Sequence, residues 1–281
     1  MAYPPIAGKS RRMKTGLVTN CWQKLLESGE PLPDLVSQAA DRGYQAIELR
    51  QGSLGKCETA AGVAIAAELA QLSTPHGGIE FDYAMAFPFL SPTADYQSPA
   101  LAQGLEAALA TAGQTGAHLR LVDIETSGVT IDDLPAAPPL VEFAGHCQDR
   151  GIRLSLEHSR QPWDMFWAMV SQLRSQLGTQ ARPCICFDPA NFCLVNEQSL
   201  PLELLARLSL EEISMVHLKQ YSAGTFLDVL SDGEVDWTGH YRILQERSYD
   251  GPIHMEIMAT TMIWQQLEAS WSYWSGLAAS C

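Results

Sequence analysis

The chain has 281 residues, of which 46% are hydrophobic and 18% charged, enough apolar material for one large core and the usual length of a single (β/α)8 domain. A formal net charge of −14 and a pI near 4.8 would repel phosphate backbones, whose recognition rests on clustered Lys and Arg, so nucleic acid is not an expected partner. No apolar run reaches the roughly 18 residues of a membrane-spanning helix, and the start MAYPPIAGKSRRMK has no apolar segment behind its basic residues to act as a signal peptide, so a cytoplasmic protein away from membranes is expected.

Residues 1–13 read as a flexible tail, because Pro4, Pro5 and Gly8 break regular structure; a start at Met13 is the other reading. The remainder, 14–281, alternates β-like runs with helix-period stretches. Thr15–Asn20 is followed by Leu32–Arg42, Ala46–Arg50 by Ala60–Leu72, Ile79–Phe87 by Ser98–Thr115, and Leu119–Ile124 by Pro139–Arg150. The second half pairs Ile152–Glu157 with Met165–Gln176, Ile185–Asp188 with Pro201–Leu208, Met215–Leu218 with Trp237–Glu246, and Ile253–Ile257 with Met262–Leu277. Strict alternation with no strand-to-strand hairpin predicts parallel strands, and eight units predict one closed (β/α)8 TIM barrel. Gly43, Gly116, Gly151 and Gly251 each fall between a helix and the next strand, where a left-handed residue often ends the helix. Trp264, Leu267, Trp271 and Trp274 form a stripe that seats the last helix on the barrel; a homodimer contact is its other use. The seven cysteines, an odd set, read as free thiols of a reducing compartment.

Four β-like runs end on metal-ligand residues: RLSLE on Glu157, CICFD on Asp188, SMVH on His217 and IHME on Glu256, spaced 31, 29 and 39 residues apart. A strand, loop and returning helix occupy roughly 30 residues or more, so these four stand on consecutive strands whose ends converge on the face where barrel active sites lie. Three converging carboxylates would repel one another unless a cation held them. The set predicts a divalent metal, Mn2+, Mg2+ or Co2+, with Zn2+ also compatible. Cys184 and Cys186 read as small buried residues rather than ligands.

Several neighbours are candidates for substrate contact. Lys219 shares a strand face with His217 and would polarise a carbonyl or meet a phosphate or carboxylate, unless it is an ordinary rim lysine. His158 follows Glu157 directly; Asn20 and Trp22 follow the first strand, where an amide and an apolar ring suit a sugar's hydroxyls and C–H face. Arg50 ends the second strand, either neutralising Glu48 or the site carboxylates, the favoured reading, or binding an anionic group. No Gly-rich phosphate loop or nicotinamide fingerprint follows the first strand.

Together with Gly233–Asp236 (GEVD), Tyr249–Pro252 (YDGP) and Ala46–Arg50 (AIELR), the four segments resemble the xylose-isomerase-like barrel family of sugar or sugar phosphate isomerases and epimerases over residues 14–260. The resemblance implies a metal held by Glu157, Asp188, His217 and Glu256, with Glu157 and Glu256 also acting as base and acid. It implies an isomerase or epimerase working on a small carbohydrate-like substrate by proton transfer through a metal-stabilised enediolate. A dehydratase of dehydroshikimate or inosose type would use the same site, and a noncatalytic ligand-binding barrel is a further alternative. The apurinic endonuclease branch is opposed by the charge and by the shortage of histidines. Three positions depart from the family pattern. Asn191 stands where many relatives carry a histidine, Gln220 where an acid is common, and Ala223 where ketose epimerases carry an arginine. Asn191 still offers hydrogen bonds to a sugar hydroxyl.

Overall fold

The computed structural model describes residues 13–72, 78–91, 93–113, 116–125, 138–177 and 182–279. Of the expected tail, 1–12 lie outside the described residues, and Met13 is buried.

Eight strands close into an all-parallel barrel in the order β1 (Lys14–Val18), β10 (Pro252–Met255), β7 (Ile213–Leu218), β6 (Cys184–Phe187), β5 (Ile152–Glu157), β4 (Ala117–Val122), β3 (Glu80–Ala86) and β2 (Ala46–Arg50). Around it run α1 (Gln23–Glu27), α2 (Leu32–Asp41), α3 (Ala66–Leu69), α4 (Pro99–Ala110), α5 (Pro138–Asp149), α6 (Trp163–Gln176), α7 (Leu200–Arg207), α8 (Trp237–Glu246) and α9 (Ile263–Gly276). None among the described residues is long and apolar enough to cross a membrane.

β4 and β7 are buried along their whole length rather than alternately, because helices cover one face and the barrel interior the other. The helices supply the apolar half of that arrangement. In α6, Met165, Phe166, Met169, Val170 and Leu173 recur at helical spacing and are all buried, each stabilising the fold by about 1.5–3 kcal/mol relative to exposure. In α9, Leu267 and Trp274 are buried. Trp264 packs on Trp22 at 5.6 Å, and Trp271 donates to the Tyr44 hydroxyl at 2.8 Å, so this stripe seats the helix on the barrel.

The interior is polar. Successive strand residues face opposite ways, so His118 and Arg120 point one way along β4 and Leu119 and Leu121 the other. His118 Nδ1 lies 2.7 Å from Asp82 Oδ1 on β3 and its Nε2 2.6 Å from Ser155 Oγ on β5. Gly16 leaves room beside His254, whose ring atom Cδ2 would lie 2.3 Å from a β-carbon there.

Several expected boundaries move. The first strand stops at Val18, and Thr19–Trp22 form a 3-10 turn, because the Thr19 hydroxyl accepts the Arg50 amide at 2.9 Å. The helix expected over Ala60–Leu72 shrinks to one turn, α3, since Gly62 takes a positive φ of 71° and Glu58 bridges Ala64. Gly43, Gly116 and Gly151 adopt positive φ as expected; Gly251 does not, and Ser248 at φ 58° follows α8 instead. The sequence reading also missed an antiparallel hairpin outside the barrel, β8 (Tyr221–Ser222) with β9 (Thr225–Phe226). Its two-residue turn has Ala223 and Gly224 both at positive φ, the geometry that matches strand twist in tight hairpins.

Candidate metal centre

The C-terminal ends of β5, β6, β7 and β10 deliver Glu157, Asp188, His217 and Glu256 to one point: one ligand atom from each lies within 4.8 Å of the others. Asp188 reaches it from just beyond β6, where its Oδ1 also caps the following 3-10 turn by accepting the Ala190 amide at 3.0 Å. His217 is wholly buried, and its Nδ1 faces the three acids: Glu256 Oε2 at 3.3 Å, Glu157 Oε1 at 3.7 Å and Asp188 Oδ2 at 3.8 Å.

Whether these residues suit a cation can be judged from the spacing. Ligands at about 2.0–2.2 Å from one ion stand about 3–4 Å from each other, which matches the His217 distances. Both His217 nitrogens are buried without a hydrogen bond, and a coordinate bond would satisfy Nδ1, the one that faces the acids. The other face of His217 points to Glu48, with Nε2 3.5 Å from Oε2. A carboxylate behind a ligating imidazole orients its ring and raises its basicity. Cys186 also lies near Glu157 and His217, and burial pushes its thiol up to about 12; for Mn2+ or Mg2+, which prefer oxygen donors, the quartet is the better ligand set. Cys184 is partly exposed, correcting its expected burial, and its sulfur accepts from Arg153 at 3.2 Å.

Two buried cations already balance the acids. Arg120 on β4 donates from Nε to Glu48 Oε2 at 2.8 Å, from Nη2 to Glu48 Oε1 at 2.5 Å, and from Nη1 to Glu157 Oε2. Lys219 Nζ lies 2.6 Å from Asp188 Oδ2 and 2.7 Å from Glu256 Oε2. Burial alone would raise the carboxyls of Glu48, Glu157 and Glu256. The Arg120 guanidinium outweighs it for Glu48 and Glu157, and the Lys219 ammonium for Glu256, so each is held below the usual carboxylate range. Neither Arg120 nor Glu48 was expected at the site. Their signal was present, since a charged residue in the apolar run of β2 or β4 must face either solvent or the interior.

The site opens into a cavity of about 510 Å³. Asn20, Arg50, Asn191 and Lys219 all line it, as do Glu157 and Glu256. Asn191 is held by bonds to Glu157 Oε1 at 3.0 Å and the His158 carbonyl at 2.9 Å. Arg50 does not neutralise Glu48, which is Arg120's partner, and is left at the mouth. Two expected substrate contacts are absent from the lining. Trp22 is fully buried against α9. His158 is turned away into a cage of Trp163, Phe166 and Phe192, with Nε2 2.6 Å from the Gln161 carbonyl. Gln220 is also structural: its side chain bonds the carbonyl of Ser231 and the amides of Tyr221 and Val235, tying down the loop after β7.

A second cavity of about 400 Å³ lies at the opposite end, around the strand starts Lys14, Ala117 and Pro252. Asp82, His118 and Ser155 have the donor order of a hydrolase triad, yet Ser155 is fully buried and absent from that cavity's lining, so no substrate carbonyl can reach it.

Residues 36–272 match the model of the family described as xylose isomerase-like TIM barrel. Among solved structures, the chain is similar to the IOLI protein with a bound zinc atom, at 14% identity over 95% of this chain and 97% of that one, TM-score 0.67. It is similar to D-psicose 3-epimerase with D-tagatose from Clostridium cellulolyticum H10, at 13% identity over 94% and 92%, TM-score 0.63. The probable 3-DHS dehydratase AsbF from Bacillus anthracis matches at 14% identity over 95% and 99%, TM-score 0.64. A search of curated proteins gives no match. At these identities the structural likeness speaks for the fold.

Proposed function

Because the chain belongs to the xylose isomerase-like TIM barrel family, we propose that it is a divalent-metal-dependent isomerase or epimerase of a sugar, sugar phosphate or related hydroxy-carbonyl compound. The observation that carries this reading is the convergence of Glu157, Asp188, His217 and Glu256 beside an open cavity that Glu157 and Glu256 line. These four would hold the cation, which when bound supplies Lewis acidity to a carbonyl and its neighbouring hydroxyl.

The chain's own groups then divide the work. Glu157 ends β5 and Glu256 follows β10 directly, with β6 and β7 between them, so they address a substrate from different sides. Arg120 and Asn191 engage both oxygens of Glu157, fixing its direction while weakening it as a base. Glu256 is held by Lys219 and faces Asn20 Nδ2 at 3.5 Å. Proton transfer by such positioned carboxylates contributes about 10²–10⁴ in rate. Asn20, Asn191 and Arg50 supply hydrogen bonds and one positive charge to the hydroxylated or anionic remainder of the substrate. The similar proteins act, by their descriptions, on carbohydrate-like compounds, which supports a substrate of that size.

The dehydratase reading has one observation in its favour. The Lys219 ammonium, 2.7 Å from Glu256, is placed to donate a hydrogen bond to a departing β-hydroxyl. The deciding experiment is turnover of neutral ketoses, sugar phosphates and hydroxy-keto acids in D2O with Mn2+. Isomerase or epimerase action places deuterium at the reacting carbon with no loss of mass, whereas dehydration loses water. Turnover without exchange would reject proton transfer, and no turnover of any class by metal-loaded protein would reject this function.

A further inference from the structure

Lys219 stands against two of the oxygens that the metal reading assigns to a cation. Its Nζ is 2.6 Å from Asp188 Oδ2 and 2.7 Å from Glu256 Oε2, two of the oxygens that the quartet would present to a cation. The side chain is 9% exposed, and its ammonium also lies 4.7 Å from the centroid of the Phe226 ring on β9. A divalent ion taking those same oxygens would stand within a few ångströms of the ammonium, where like charges repel strongly in a buried site. An ammonium also cannot stay in a pocket of this size beside a dication unless the acids are divided between them.

Resting on the metal-site reading above, we propose that Lys219 is a built-in competitor for the metal. Its ammonium and the divalent ion take the same oxygens of Asp188 and Glu256, and metal entry displaces the ammonium toward the cavity mouth. The consequence is a switch in which cation the acids hold. Without metal, Lys219 joins Arg120 in keeping the interior acids compensated, so the barrel does not depend on metal to fold. With metal, the freed ammonium lies among the groups lining the mouth, beside Arg50 and Asn191, where it meets a substrate oxygen. The β8–β9 hairpin places the Phe226 ring over it, so the displaced ammonium keeps an aromatic face nearby.

The test compares wild type with Lys219→Met and Lys219→Gln, binding Mn2+ alone, by calorimetry and thermal denaturation. Both substitutions should tighten Mn2+ at least tenfold. In EDTA both variants should melt below wild type, and saturating Mn2+ should raise their melting temperatures more than it raises that of wild type. As a measurement on the unaltered chain, reductive methylation of Lys219 read by mass spectrometry should speed up several-fold when Mn2+ is added. Equal Mn2+ affinity in wild type and both variants, or Lys219 labelling that Mn2+ does not change, overturns the proposal while leaving the metal site intact. No Mn2+ binding by any of the three proteins overturns both. If neither variant folds in EDTA, the labelling result alone decides.

Discussion

Arg120 offers the sharpest test of how the barrel interior is held together. Its guanidinium is 1% exposed and contacts Glu48, 0% exposed, through two nitrogens and Glu157, 4% exposed, through the third. Arg120→Met keeps most of the side-chain volume and leaves two buried carboxylates without their counter-charge. Removing one partner from a buried ion pair costs about 3–5 kcal/mol, and because two acids lose the same cation we expect the upper part of that range. Most domains have a total stability of about 5–15 kcal/mol, so the variant should unfold at much lower urea. Adding Glu48→Gln removes one stranded charge. The double variant should therefore be more stable than the sum of the single effects predicts, by about 1.5–3 kcal/mol. The exposed pair Arg207 with Glu203, 74% and 60% exposed, is the control, and Arg207→Ala should change stability by less than about 0.5 kcal/mol. Urea unfolding in EDTA at pH 7 followed by circular dichroism measures wild type and the four variants. An Arg120→Met protein within about 1 kcal/mol of wild type, or single effects that simply add, would refute the view of Arg120 as the interior's counter-charge.

Further outcomes follow from other residues. Calorimetry with Mn2+ should show one site per chain, weakened at least tenfold by His217→Ala; equal affinity would reject the ligand assignment. Burial lowers His158 from 6.5 to about 4, so between those values the unfolded chain binds the extra proton; stability is complete above pH 6.5 and drops as the pH falls toward 4. For this one histidine the loss between pH 7 and pH 5 is about 2 kcal/mol. His158→Phe should remove that share of the wild-type decline in urea unfolding, and an unchanged decline would contradict it. Gly16→Ala forces a β-carbon to 2.3 Å from the buried His254 ring and 2.9 Å from the Ala46 carbonyl, for an expected cost of about 1–3 kcal/mol. Gly145→Ala in α5, with nothing within 4 Å, should cost nothing by comparison in the same denaturation assay.

The parts of this molecule legible in its sequence are those governed by periodicity and strand-end chemistry. β2, β5 and α8 fall at their expected residues, and the quartet converges because four parallel strands must end at one rim. What escaped the sequence reading depends on contacts between distant segments. Arg120 reaches past β3 to Glu48, 72 positions earlier, and no local pattern announces that pairing. His158 looked ready to face the mouth because it follows a ligand, but Phe192 and Phe166, supplied by other elements, enclose it. Trp22 was drawn inward in the same way by Trp264. The β8–β9 hairpin had a local sign in its Ala-Gly turn, overridden by the assumption that alternation was strict.

The chain of contacts from Asp82 through His118 to Ser155 also bears on how the barrel assembles. It spans β3, β4 and β5, whose pairing runs Tyr83 to Leu119 and Arg120 to Ser155. A slip of one residue in any of these strands would turn its polar group outward onto an apolar helix and strand the other two in the interior. The same slip would carry Leu119 and Leu121 into the polar interior, so both faces of β4 oppose it. The polar chain discriminates well, because an unpartnered buried donor costs about 1–3 kcal/mol. This polar layer therefore favours the native strand alignment over misregistered ones.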